Sequence, residues 1–251
     1  MNPKHLFFVL TVLVFFSCNQ TKHLYKIEGK QISITDSLPS NSEIDSFIKP
    51  YHDHLNQSLD SVLSYSADTY TKEDSPFNTA IGNFMADAIY EQSNPIFKKR
   101  TGKDIDFVML NHGSIRSILS KGNITIRTAY ELMPFENTVV VTAIKGEQIK
   151  ELLKYLTASS KAHPISKLKV TVDKDFNIVS AAVRGQPIDY NKTYYVLTNN
   201  YLYNGGDHMT FFQPNDTVYS LDYKVRNALL DYFIKTDTIR AAIDDRYMQI
   251  E

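Results

Sequence analysis

Residues able to hold an anion beside an aromatic ring are concentrated between Asp106 and Asn137, in DFVMLNHGSIRSILSKGNITIRTAYELMPFEN. Phe107 to Leu110 is a short apolar run of the kind a buried strand uses. It leads into Asn111-His112-Gly113-Ser114, a turn of residues that tolerate unusual backbone angles. Ile115-Arg116 follows directly, and an Asn and an Arg beside small residues at the carboxyl end of a buried strand suit a phosphate or carboxylate ligand. Alone, that fragment reads equally as a strand end with one surface Arg. Further on, Met133-Pro134-Phe135-Glu136-Asn137 follows a predicted helical turn and precedes the β-branched run Thr138 to Thr142, which puts Phe135 at a loop-to-strand junction. Tyr195 to Thr198 predicts another buried strand, leading into Asn199-Asn200-Tyr201-Leu202-Tyr203-Asn204-Gly205-Gly206-Asp207. Two aromatics on two loops can sandwich a planar ring, and Asp207 after a Gly pair can accept hydrogen bonds from ribose hydroxyls. Taken singly, each aromatic is more readily a core residue than a ligand contact.

The elements that must position these residues are legible from periodicity. Ser42 is a predicted N-cap of a helix whose apolar residues Ile44, Phe47, Ile48, Tyr51 and Leu55 form one stripe, with Pro50 expected to bend or interrupt it. Upstream, Tyr25 to Thr35 alternates in the manner of one or two strands, and residues 36–41 form a polar linker. Asn78 to Gln92 predicts an amphipathic helix, with Asp87 more readily structural than ligand-binding, and Asn94 to Lys103 predicts a polar, basic turn. Strands are expected over Val139 to Ile144, Leu168 to Val172 and Ile178 to Val183, and helices over Gln148 to Ala158 and Val225 to Ile234. Strands and helices mix without strict alternation, which predicts an α+β fold in which helices cover a mixed sheet.

Four motifs, in order and spacing, resemble the C-terminal domain of the 5'-nucleotidase family over about Ile44 to Phe212. They are Ile81-Gly82-Asn83-Phe84-Met85-Ala86-Asp87-Ala88, Asn111-His112-Gly113-Ser114-Ile115-Arg116, Pro134-Phe135-Glu136-Asn137 and Asn200-Tyr201-Leu202-Tyr203-Asn204-Gly205-Gly206-Asp207. The resemblance implies phosphate binding by Asn111 and Arg116, a base sandwich of Phe135 and Tyr201, and contacts of Asn137 and Asp207 with sugar hydroxyls or nearby polar groups. It also implies that the helix after Ser42 corresponds to the one that links the catalytic and substrate-binding domains in two-domain members. The expected organisation is therefore a signal over residues 1–18, a strand and linker-type helix over 19–70, and a domain like the family's C-terminal one over 71–251.

The chain departs from the family in ways that bear on the ligand. Ser114, His112 and His208 stand where the family usually has Gly. The segment Ser75-Pro76-Phe77-Asn78-Thr79 carries none of the additional phosphate-binding Arg residues found there in other members. One lost charge-assisted contact weakens phosphate affinity by roughly 1.5 to 3 kcal/mol, so a nucleoside or another polar head group is a competing ligand.

Residues 1–18 read as a targeting signal. Lys4 and His5 give a short basic start, and the apolar run Leu6 to Phe16 is too short to span a bilayer as a permanent helix. Ser17 precedes the single cysteine, Cys18. The pattern resembles a bacterial lipoprotein signal with Cys18 lipidated, although Phe15 stands where Leu is more usual, and an ordinary secretory signal cut near Ser17 is the alternative. Either reading sends the protein out of the cytoplasm, and lipidation places it in the bacterial cell envelope. A lipid anchor would hold it on the periplasmic side of a membrane, and a lone cysteine leaves no intrachain disulfide. A net charge of -1 argues against nucleic acid as a partner. The 16 Tyr and 14 Phe, with no Trp, supply an aromatic core.

Hydrolysing a nucleotide at neutral pH normally needs a metal pair or a strong nucleophile. Complete members carry a metallophosphatase domain with an Asp-x-His start, a Gly-Asp segment and Gly-Asn-His-Asp or Glu; neither Asp-x-His nor Gly-Asn-His-Asp or Glu occurs in these 251 residues, and the one Gly-Asp, Gly206-Asp207, belongs to the fourth motif. His23, His52, His54, His163 and His208 have no spacing that recommends a metal site and are expected in solvent. No Gly-x-Ser-x-Gly elbow, phosphate loop or dinucleotide fingerprint is present. The expectation is therefore a chain with no catalytic residue, no metal and no cofactor of its own. It would be the substrate-binding half of a split 5'-nucleotidase, with divalent metal on a separate metallophosphatase partner. A nucleotide- or nucleoside-binding lipoprotein without hydrolytic function is the alternative, and a retained fold with a dead pocket is a third.

Overall fold

The computed structural model describes residues 3, 23–35, 37–159, 161–213 and 217–250. The signal and Cys18 lie outside the described residues. The chain divides into two compact units, Met1–Ile48 and Lys49–Glu251.

In the first unit, residues 23–35 carry no regular secondary structure, so the strands expected over Tyr25 to Thr35 do not form. Alternation provides one apolar face, but a strand also needs a neighbour to satisfy its backbone, and this segment has no ladder partner. Helix α1, Ser42–Leu59, begins one residue earlier than expected in its capping: Asn41 Oδ1, rather than Ser42, accepts from the backbone N–H of Glu43 and Ile44 at 3.0 and 3.2 Å. The helix runs through Pro50 without a break. No residue of this helix is buried, so the carbonyl that Pro50 leaves without its helical donor is not shut away from solvent.

The second unit starts well before residue 71. Strand β1, Val62–Ser66, pairs antiparallel with β3, Gly122–Thr125, and parallel with β11, Thr238–Ile239, so it belongs to the domain and not to a linker. Helix α2, Ala80–Thr101, is capped by Thr79, whose hydroxyl accepts from the Gly82 amide at 3.2 Å. It continues past Gln92 through the stretch expected to be a turn, with Pro95 inside it. Two features carry it onward. Phe97 is fully buried in the core, and Lys98, Lys99 and Arg100 place positive charge at the carboxyl end of the helix dipole.

The site is positioned by a mixed five-stranded sheet with the order β10-β4-β9-β2-β5. These strands are Val218–Lys224, Thr138–Lys145, Thr193–Asn199, Phe107–Met109 and Ile165–Ser166. β2 runs parallel to β9, and β4 runs antiparallel to β9 from Val139↔Asn199 to Lys145↔Thr193. That register decides where chemistry can occur. The carboxyl ends of β2 and β9 and the amino end of β4 share one edge, so Asn111, Asn137 and Tyr201 all emerge there.

Each face of this sheet is covered. Val108, Leu110, Val139, Val141 and Leu197 point into a core with α2 and α6, Val225–Lys235. Phe107, Met109, Ile144 and Val196 point the other way, onto Ile149, Leu152, Leu153 and Leu156 of α4, Gly146–Ala158. Strands buried on both faces read as continuous apolar runs, as Phe107 to Leu110 does. The remaining strands, β6 Leu168–Val172, β7 Ile178–Val183, β8 Gln186–Pro187 and β12 Tyr247–Gln249, form a four-stranded sheet whose Leu168, Val170 and Val172 complete the second core. Two short helices, α3 Ile126–Leu132 and α5 Asn200–Tyr203, immediately precede or carry site residues. The architecture is α+β, a mixed sheet covered by helices.

Candidate nucleoside-binding site

Asn111 ends the buried strand β2 in extended conformation and starts a single turn of 3-10 helix, His112–Ser114. The turn is closed locally, with the Ser114 hydroxyl donating to the Asn111 carbonyl at 2.7 Å and the Ile115 amide donating to His112 O at 3.2 Å. Lys72 adds a brace, its Nζ donating to Ile115 O at 3.1 Å. Arg116 leaves this turn toward solvent. Its backbone amide is fixed on Leu132 O at 3.0 Å, and its guanidinium carbon lies 5.8 Å from the centre of the Phe135 ring.

The Gly205-Gly206-Asp207 turn brings a carboxylate over this loop. Asp207 sits at φ 50°, a left-handed conformation in which Asp is among the better tolerated residues. Its Oδ2 accepts from Asn111 Nδ2 at 2.7 Å and its Oδ1 from the Tyr201 hydroxyl at 2.9 Å. Its backbone carbonyl accepts from the Tyr155 hydroxyl at 3.0 Å. Hydrogen bonding to the Asp207 carboxylate raises the Tyr201 phenol above its ordinary value, because deprotonation would lose that bond and set two negative charges together. Gly206 is required by contact, since a Cβ there would meet the Tyr201 ring at 2.5 Å.

All six residues expected to bind substrate, Asn111, Arg116, Phe135, Asn137, Tyr201 and Asp207, line one cavity of about 300 Å³. Phe135 is 40% exposed and Tyr201 46%, so both rings present surface to the cavity rather than filling the core. Asn111 is buried, and its amide nitrogen is committed to Asp207, while its Oδ1 has no partner among the described residues. A larger cavity of about 710 Å³ adjoins through Gly113, Tyr201 and Asp207 and continues to Lys161 and His208. The arrangement joins two accessible aromatic faces, a carboxylate with fixed geometry and one cation in a concave, part-apolar setting, the composition of a small-molecule site.

Other residues that the sequence brought into question are structural. Asp87 forms an ion pair with Arg246 at 2.8 Å and accepts from Ser166. His163, expected in solvent, is buried; His112 is buried as well. The His112 amide donates to His163 Nδ1 at 3.3 Å, which leaves the ring proton on Nε2, facing Ser159 Oγ at 3.0 Å. Burial, and then the neighbouring His112, lower His163 to about 4, so it is neutral at pH 7. With its Nε2 already protonated, this ring has no lone pair to take a proton from Ser159, and the pair is not a nucleophile and base.

Two residues that hold the site were given no role from the sequence, Asn200 although it opens the fourth motif and Arg226 outside the motifs. Asn200 Oδ1 accepts from the Thr138 amide at 2.9 Å, tying the loop of Tyr201 to the strand that follows Phe135. Arg226, the second residue of α6, contacts the loop of Phe135 from beneath. The interruption of an apolar helix face by a single Arg was the only hint of it.

Residues 59–214 match the family described as the 5'-nucleotidase C-terminal domain. The chain is 23% identical over 246 residues to an apyrase of Tabanus yao, covering 90% of this chain and 44% of that protein. It is 34% identical over 114 residues to protein UshA of Escherichia coli, covering 43% of this chain and 20% of UshA. The fold is similar to that of a 5'-nucleotidase precursor from Thermus thermophilus, with a TM-score of 0.70 at 21% identity over 84% of this chain and 44% of that one. The chain thus spans less than half the length of these relatives. With the family matched over residues 59–214 and three of the four motifs lining one cavity, the chain belongs to the 5'-nucleotidase family and carries its C-terminal domain.

Proposed function

We propose that this chain binds the nucleoside portion of a nucleotide between Phe135 and Tyr201, with Asp207 accepting from the sugar hydroxyls and Arg116 facing the phosphate. In this reading it is the substrate-binding half of a split, extracytoplasmic 5'-nucleotidase, and a separate metallophosphatase supplies the divalent metal and the hydrolytic step. The observation that carries the proposal is the convergence of those residues, from three separate segments, on one cavity. Relatives named for nucleotide hydrolysis support the ligand class. The signal-like stretch ending at Cys18 supports lipid anchoring at the cell envelope, on the periplasmic side of a membrane.

One observation favours a second reading, a nucleoside-binding lipoprotein that hydrolyses nothing. Arg116 is the only cation lining the cavity among the described residues, and Asp207 opposes it with a negative charge. Phosphate release from AMP distinguishes the two. The split-enzyme reading predicts that the chain alone, with divalent metal, releases none, and that adding an isolated metallophosphatase from the same organism gives release that Phe135→Ala reduces at sub-saturating AMP. Release that is indifferent to this chain removes the split-enzyme reading and leaves the binding protein.

A further inference from the structure

The loop that carries Phe135 is fastened by a residue that does not line the cavity. Arg226 is 4% exposed. Its Nη1 donates to the carbonyls of Met133, Pro134 and Phe135 at 3.4, 3.1 and 3.5 Å, and its Nη2 pairs with the Glu136 carboxylate. Its guanidinium carbon lies 4.0 Å from the centre of the Tyr130 ring, one turn back on α3. A single planar group thereby touches each residue of the turn that presents the aromatic. Lysine, a point charge on a flexible stem, has no equivalent of this fork and stack.

The arrangement is costly for a residue with only a packing role. Arg226 Nε is buried without a partner among the described residues, and the carboxylate that balances the charge belongs to an exposed residue. An apolar side chain at the start of α6 would close this part of the core without that penalty. The loop itself has few other ties. Met133 N donates to Ala129 O at 3.0 Å before it, and Val225 N donates to Asn137 O at 2.9 Å after it. Between them, the carbonyls that set the direction of Phe135 are held by Arg226.

We propose that Arg226 is a positioning residue for Phe135, setting the angle at which the ring meets a bound base and adding to nucleoside affinity without touching the ligand. The inference rests on the nucleoside reading of the cavity given above, and its test separates the two.

Because the chain has no Trp, Phe135→Trp places one indole reporter on the loop. In the full chain carrying Phe135→Trp, fluorescence anisotropy of the indole reads the freedom of the loop without any ligand. Adding Arg226→Gln is expected to lower that anisotropy. In the otherwise native chain, Arg226→Gln is expected to weaken adenosine binding on the order of ten-fold, what losing about half of one stacked ring would give. Glu136→Gln, at an exposed position, shifts both readouts in the same directions by less, and serves if Arg226→Gln does not fold. Combined with Phe135→Ala, Arg226→Gln adds no further loss of affinity, because its effect passes through the ring. Unchanged anisotropy in both clamp variants, or losses that add fully to those of Phe135→Ala, overturn the proposal. If the native chain binds no adenosine, the nucleoside reading fails by itself, and the anisotropy comparison still decides whether Arg226 fixes the loop.

Discussion

Asn111 Nδ2 donates to Asp207 Oδ2 at 2.7 Å across 96 positions of sequence, while the Tyr201 hydroxyl occupies Oδ1. The carboxylate is therefore oriented before any ligand arrives, with its remaining lone pairs free for sugar hydroxyls. Asn111 acts on a ligand through Asp207 at least as much as by its own contact. Replacing Asn111 by Ala is expected to weaken adenosine binding by about 1 to 3 kcal/mol. Combined with Asp207→Asn, which keeps a residue suited to the left-handed backbone, the two changes are expected to couple by about 0.5 to 3 kcal/mol. Calorimetric titration of the four proteins in the cycle measures this; strict additivity would show that the two residues act separately.

Phe135 is expected to behave as a binding residue and not as core. Phe135→Ala should cost roughly 1 to 3 kcal/mol of base affinity, the range for an aromatic stacking platform. Because the ring is 40% exposed at a loop, thermal denaturation should shift little. A fall in stability matching the fall in affinity would return Phe135 to the core.

Gly206→Ala tests how Tyr201 is held. The added Cβ would lie 2.5 Å from the Tyr201 ring, so the ring must move and its hydroxyl must leave Asp207 Oδ1. The Tyr201 phenol, raised by that bond, should then titrate closer to its ordinary value, and adenosine affinity should drop. Spectrophotometric titration of the tyrosines, with Tyr201→Phe to identify the signal, reports the first effect. An unaltered phenol titration would mean that the ring accommodates the methyl without losing its bond.

Burial of His163, with His112 beside it, makes stability depend on pH in a defined window. His163 has a folded value of about 4 against 6.5 for a free imidazole, so between these values the unfolded chain binds a proton that the folded chain refuses. Its contribution is complete above about pH 6.5 and is lost as pH falls toward 4, up to about 3 kcal/mol. Denaturant melts across that range should show the loss, and His163→Gln should flatten it. A slope that survives His163→Gln would assign the effect to other groups.

Much of the site was legible because it lies where chain geometry is local. Buried strands such as Phe107 to Leu110 announce themselves as apolar runs; Asn111, Arg116 and Asp207 lie beyond the ends of such strands and Phe135 just before one, and the family resemblance supplied their expected roles. What was not legible depends on partners distant in sequence. Arg226 reads as one cation on a helix until β10 and β4 bring α6 under the Phe135 loop. His163 reads as a surface residue until the His112 amide buries it. Tyr25 to Thr35 has the alternation of a strand and lacks only the neighbour, which no local pattern can supply. Pro95 failed as a stop signal because Phe97, deep in the core, anchors the helix beyond it.

The most direct test of the account is calorimetric titration of the full chain with adenosine and with AMP, followed by assay of phosphate release with divalent metal present. The account predicts saturable binding of both ligands at one site, weakened by Phe135→Ala by roughly 1 to 3 kcal/mol, with no phosphate released by the pure chain. Absence of binding to either ligand, or turnover of AMP by the chain alone, would contradict it.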